Sequence, residues 1–340
     1  MGFSADAVRL GPRDAEVLGA NDQLVSVEKA VLAEGSGRGE PVLLVRNPGG
    51  VSFEILLDRG MDIGWADALG SPLAWRSPRG RVASTGIAPT GFGWSETFGG
   101  GLLSTCGLAS VGAPSEVDGV RYGLHGRVGH TPAEHVRWSL TDSPYGAAVV
   151  VTGEVVESAL GHPTLRLIRR ITAPCSRPVV LVEDTVLNES HSRAGHMFRH
   201  HLNLGYPLVD HGTLVDADAE FFGWRDGAGV PPSPPLHMVM AENMTPETVA
   251  YARSGARGVV TVASALPSAP SVKVSYSSAT FPLLVLWRDE SPGVNVLGVE
   301  PSTCRDGGRA EAERLNEIVW LDPGQRRSYS TEVEVSRSQL

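Results

Sequence analysis

Lysine is nearly missing from this sequence: in 340 residues only Lys29 and Lys273 interrupt a set of basic residues that is otherwise all arginine. With 29 Lys and Arg against 38 Asp and Glu, the formal net charge is -9. That balance excludes the basic footprint of a nucleic-acid binder and leaves no lysine-rich patch for a membrane surface. No stretch approaches the roughly 18 apolar residues of a membrane span. The N-terminal MGFSADAVRLGPRDAEV lacks the positive start and apolar run of a signal peptide. Cysteine is scarce too. Cys106, Cys175 and Cys304 are scattered and odd in number, which excludes a disulfide framework and a CxxC metal knuckle. A cytoplasmic protein is expected. There is no GxSxG elbow, no HExxH and no P-loop, and GSGRG (35–39) lacks dinucleotide-loop spacing, so it reads as a hairpin tip.

What is present is alternation of period two, in LVSVEKAVL (24–32), TLRLIRRIT (164–172), SVKVSYSS (271–278) and RSYSTEVEV (327–335). Denser apolar runs, AAVVVTGEVV (147–156), RPVVLVEDTVL (177–187) and FPLLVLW (281–287), read as strands buried on both faces. Turn signals such as NPGG (47–50), DSPYG (142–146) and DPG (322–324) punctuate them. Two short helices are expected, one over TPETVAYAR (245–253), with Pro246 at the first helical position, and one near AEAERLNE (310–317). PPSPP (231–235) reads as a surface loop, because strands resume beyond it. The expectation is one domain over residues 1–340: an all-β, large antiparallel β-sandwich with a few short helices.

Functional groups on such a sheet project at alternate strand positions, so the chemistry must be sought in scattered pieces. RYGLHGRVGHTPAEH (121–135) contains His125, His130 and His135. Their spacing of five fits neither the i, i+4 pairing of a helical metal site nor the shared parity of a strand. His130 and His135 therefore fall back to ordinary loop or strand residues. His125, followed by Gly126 and Arg127 and preceded by FGGGLLSTCGL (98–108), remains a candidate, with Arg127 offering a fork of donors to ligand oxygens. In FRHHLNLGYP (198–207), strand parity places His201 and Asn203 on one face and His200 and Leu202 on the other. In VLWRDESPGVNVLGVEPSTC (285–304), Glu300 ends an apolar run just before Pro301, where a carboxylate is costly unless paired or used. Trp287 could platform a sugar ring. Arg59 and Asp62, in LLDRGMDIGWA (56–66), read equally as a hairpin ion pair or as binding groups.

DRGMDIG (58–64), FGGGLLSTCGL (98–108), YGLHGR (122–127), HLNLGYP (201–207) and LGVEPST (297–303), in this order, resemble the aldose 1-epimerase (galactose mutarotase-like) superfamily, and within it a poorly characterised aldose 1-epimerase-like branch. The likeness runs from about residue 40 to the C-terminus. It implies a supersandwich with a sugar lying across one sheet, Glu300 as general base, His201 as general acid and His125 assisting. Arg59 and Asp62 carry over as weaker substrate-binding assignments; Arg127, Asn203 and Trp287 join them as binding candidates from the residue reading itself, with no cofactor and no metal expected.

The implied activity is mutarotation of a free monosaccharide: acid–base opening of the ring, rotation about C1–C2, and reclosure. Two alternatives stand beside it. One is epimerisation, isomerisation or elimination on a keto- or acidic sugar by the same Glu/His pair. The other is a non-catalytic carbohydrate-binding protein. No nucleic-acid or membrane partner is expected, and a homodimer is compatible with the reading. The chain departs from better-known mutarotases in lacking an aromatic pair before Asn203 and in carrying Arg127 where a second glycine is usual.

Overall fold

Two antiparallel sheets stacked on one another make up a computed structural model that describes residues 18–86 and 89–337. The larger has twelve strands, the smaller nine, and a small two-stranded ribbon lies apart. The all-β sandwich expected from the alternation is therefore what the chain forms. One apolar cluster joins the facing sides of the sheets, with Phe198, Leu202, Leu284 and Val299 from the larger and Val149, Leu167, Val180 and Val182 from the smaller. The glycine-rich GSGRG turn joins strands Ser26–Val31 and Pro41–Arg46 as a hairpin. Among the described residues, no helix is long and apolar enough to cross a membrane.

Of the two expected helices, one forms, over Gly308–Arg314. The other does not: Thr248–Ser254 is a strand, laddered on one side to Leu283–Asp289 and on the other to Ala219–Trp224. Pro246 and Glu247 carry a local helix-start signal, but Ala250 and Ala252 fill the inter-sheet core while Val249 and Tyr251 pack with Val285 on the outer face. Two-sided burial at period two overrides the local preference. The same two-sidedness was expected of RPVVLVEDTVL, yet in strand Val179–Asn188 Glu183 is exposed and Leu181 half-buried, so that strand has one core face and one solvent face.

The order of the larger sheet matters most for function. It places strand Leu103–Leu108 beside Ala194–Leu204 and that beside Val296–Ser302. Three distant segments thus meet in the middle of one sheet, with Ser104 opposite His201. Every residue of Ala194–Leu204 is buried, including those facing away from the core, because loops and the helix Gly308–Arg314 cover part of the outer face.

Candidate active site

Strand parity separates neighbours on Ala194–Leu204. Phe198 and His200 point inward: the Phe198 ring lies 4.8 Å from that of Tyr329, and His200 Nε2 lies 2.7 Å from Asp184 Oδ2. Arg199 and His201 point outward. On the adjoining strand Glu300 faces the same way, and His201 Nε2 lies 3.2 Å from Glu300 Oε1. The glycine two residues earlier makes this possible. A Cβ on Gly298 would lie 2.6 Å from Glu300 Oε1 and 3.0 Å from Trp287 Cβ, so only a residue without a side chain leaves the carboxylate room to lie along the sheet.

Arg199 holds the other oxygen, its Nη1 donating to Glu300 Oε2 at 2.8 Å and also to Asp306 Oδ1. Its Nε donates to Ser302 Oγ at 3.1 Å and its Nη2 to the Cys304 carbonyl at 3.2 Å. Burial pushes the Glu300 carboxyl up to about 8, against the opposing pull of Arg199 and with help from the charge of Asp306. Burial raises Asp306 as well, but Arg199 and His125 outweigh it and the carboxyl lies below its ordinary value. Two carboxylates that share one guanidinium thus divide its benefit unequally. The His201 imidazole is driven well below its usual range by burial, then by His125 and Arg199.

His125 arrives from the loop YGLHGR with a left-handed backbone, φ 58°, followed by Gly126 at φ 77°. Its main chain is pinned on both sides, the N–H donating to the Gly112 carbonyl at 2.9 Å and the carbonyl accepting from Gly107 N–H at 3.0 Å. Gly112 N–H donates to His125 Nδ1 at 3.3 Å, which leaves Nε2 as the protonated nitrogen of the neutral ring. Burial and Arg199 keep the ring neutral, with its pKa pushed down to about 4. Its ring stands perpendicular to that of His201, centroids 5.9 Å apart.

Aromatic rings cover this cluster. Trp94 lies 4.6 Å from the His125 ring, Phe98 5.8 Å and Trp287 5.5 Å from that of His201. Trp287 Nε1 donates to Glu247 Oε2 at 2.7 Å. These rings give the buried histidines and Glu300 an apolar surround. Among the described residues no cluster of three His, Cys, Asp or Glu side chains could hold a metal ion.

Of the residues singled out in the sequence, His125, His201, Glu300 and Trp287 come together. Asn203 lies on the same strand face, but its Nδ2 donates to the carbonyls of Gly101 and His201, at 2.9 and 3.1 Å, so it braces backbone. Asp62 is drawn inward: its Oδ1 accepts from Thr105 Oγ1 at 2.5 Å and from Arg169 Nη1 at 3.2 Å. Arg59 pairs with Glu40, not with Asp62, at 3.5 Å. Arg127 is exposed and lines a small cleft with Glu157 and Arg309, away from the face His125 presents. Arg199 and Asp306 were not singled out. The parity that picked His201 and Asn203 also selects Arg199, whereas Asp306 follows the strand in a loop and carries no periodic signal. Trp94 and Phe98, in and just after the short helix Trp94–Thr97, are likewise invisible to alternation.

The architecture is that of the galactose mutarotase-like sandwiches. A provisionally assigned aldose 1-epimerase from Klebsiella pneumoniae superposes with a TM-score of 0.82 at 20% identity, over 92% of this chain and 84% of that one. A galactose mutarotase-like protein from Clostridium acetobutylicum gives 0.63 at 11% identity, over 93% and 99%. A galactose mutarotase related enzyme from Lactobacillus acidophilus gives 0.62 at 13%, over 87% and 98%. These identities establish the fold alone. No curated protein matches the sequence. The chain belongs to the family described as a domain of unknown function, DUF4432, whose profile matches residues 37–335.

Proposed function

We propose that this protein is a cofactor-independent acid–base isomerase that opens and recloses the ring of a free sugar, with Glu300 and His201 as the reacting pair. The observation that carries this reading is their side-by-side placement, Nε2 to Oε1 at 3.2 Å, on one buried outer face. The anomeric hydroxyl oxygen and the ring oxygen of a sugar are bonded to the same carbon. A base and an acid that serve both must therefore sit close together, as these do.

The pair carries one proton below about pH 8, on Glu300 or, by transfer across the contact, on His201. In the form with Glu300 ionised, its carboxylate takes the proton of the anomeric hydroxyl while His201 delivers one to the ring oxygen, and the C1–O bond breaks. The open aldehyde turns about C1–C2 and recloses as both protons return. Arg199 stabilises the ionised Glu300 at that moment, and His125 Nε2–H donates to a sugar oxygen.

Anomer exchange measured by NMR across a panel of reducing sugars tests the proposal. Glu300→Gln is expected to lower the rate by about 10²- to 10⁴-fold. Full activity in that variant, or no acceleration of any sugar by the wild type, rejects the mechanism. Uptake of solvent deuterium at carbon would instead point to chemistry beside a carbonyl.

A further inference from the structure

The His201–Glu300 pair has a neighbour that its chemistry does not use. A cavity of about 720 Å³ lies over the outer face of the larger sheet, on the side of strands Val51–Leu56 and Asp62–Ala68. That volume is within the roughly 300–1,000 Å³ typical of small-molecule sites. It shares a wall with the reacting pair: Trp94, Phe98 and Ser104 line it, and those are the residues against His125, against His201, and opposite His201 in the ladder.

The lining is polar in a particular way. Glu40 is fully buried, and among the described residues neither of its carboxylate oxygens has a hydrogen-bond partner. The nearest cations, Arg59 Nε at 3.5 Å and Arg81 Nη1 at 3.9 Å, neutralise it without donating a well-formed hydrogen bond. Arg81 also pairs with Glu54, whose Oε1 accepts the Trp65 N–H at 2.7 Å. A buried carboxylate with free lone pairs is costly unless something supplies donors. The cavity wall holds four arginines against Glu28, Glu40, Glu54 and an Asp62 already paired with Arg169, so its formal charges nearly cancel. Trp65, 46% exposed, adds an apolar plate at the rim. Free acceptors, arginine donors, balanced charge and an indole face together fit a neutral polyol.

Building on the acid–base reading above, we infer that the substrate is a reducing sugar carrying at least one further neutral sugar unit, whose non-reacting part occupies this cavity. Hydroxyls donate to Glu40 and accept from Arg59 and Arg81, and a ring lies against Trp65.

Titration calorimetry with glucose, galactose, maltose, cellobiose and lactose tests this without requiring turnover. At least one disaccharide should bind about tenfold or more tightly than the monosaccharides, a gap of about 1.4 kcal/mol. Trp65→Ala and Glu40→Gln should each erase most of that preference. Trp65 is exposed, so its variant remains informative should Glu40→Gln fold poorly. Equal binding of mono- and disaccharides, or a preference that survives both substitutions, overturns the inference. Disaccharide preference without any anomer exchange would support the cavity and reject only the acid–base mechanism. Accelerated exchange of monosaccharides with no disaccharide preference would do the reverse.

Discussion

The molecule contains the same constellation twice, back to back across one strand. Inside the sandwich, Arg169 lies between Asp62 and Asp184, and His200 bonds Asp184. On the outer face, Arg199 lies between Glu300 and Asp306, and His201 contacts Glu300. The ingredients match; the saturation does not. His200 has partners on both nitrogens, Thr331 Oγ1 at 2.8 Å and Asp184 at 2.7 Å. His201 Nδ1, although buried, has none among the described residues. Burial raises both key carboxyls, but Arg169 and His200 bring Asp184 down to about 2, whereas Glu300 stays near 8. The inner cluster bolts two sheets together, with Arg169, Asp184 and both nitrogens of His200 engaged. The outer one holds reserve capacity, on which the acid–base reaction proposed above would draw.

Substituting the two histidines separates the clusters most sharply. His201→Asn should lose about 10²- to 10⁴-fold in anomer-exchange rate while melting near the wild type. His200→Asn should keep its rate constant and lose about 1–3 kcal/mol of stability in urea titration, since two buried hydrogen bonds go. The arginines come next. Arg169→Met strands two buried carboxylates and should destabilise by about 3–5 kcal/mol. Arg199→Met should destabilise less, because the Glu300 carboxyl, already pushed up to about 8, holds its proton once the guanidinium is gone and leaves Asp306 alone to be stranded.

The readout specific to Arg199 is the pH–rate profile. Activity requires the proton shared by Glu300 and His201, so the rate should fall as pH rises through about 8. Because Arg199 lowers the Glu300 pKa, Arg199→Met should move that fall to higher pH. The smallest expected effect is in the pH dependence of stability. Asp184 is depressed from 3.8 to about 2, so its contribution is present above pH 3.8 and is lost as pH falls towards 2. Glu300 is raised from 4.5 to about 8, so its contribution is present below 4.5 and is lost as pH climbs through 8. Denaturant midpoints of Asp184→Asn and Glu300→Gln across pH 2–9 should flatten opposite limbs of the profile. A shared limb would contradict the contrast.

The sheets were legible in the sequence because alternation is local and repeated, and His201 and Glu300 were legible because each sits in a strand whose parity can be read. Their meeting depends on sheet order, which joins residues about a hundred positions apart and leaves no local trace. The partners of Arg59, Asp62 and Arg127 were not legible for a related reason: sequence reveals an uncommon charge but not which side of a sheet its partners occupy. Asp62 faces Arg169 across the core. TPETVAYAR failed because a helix cap is a local signal, while membership in a sheet is decided by neighbours on both sides.

Gly298 has a use beyond geometry. A single methyl group there would meet the Glu300 carboxylate and Trp287 while leaving every titratable side chain in the protein chemically unchanged. Gly298→Ala is thus a scalpel for alignment alone. It would show how much of the activity resides in possessing the right groups and how much in aiming them.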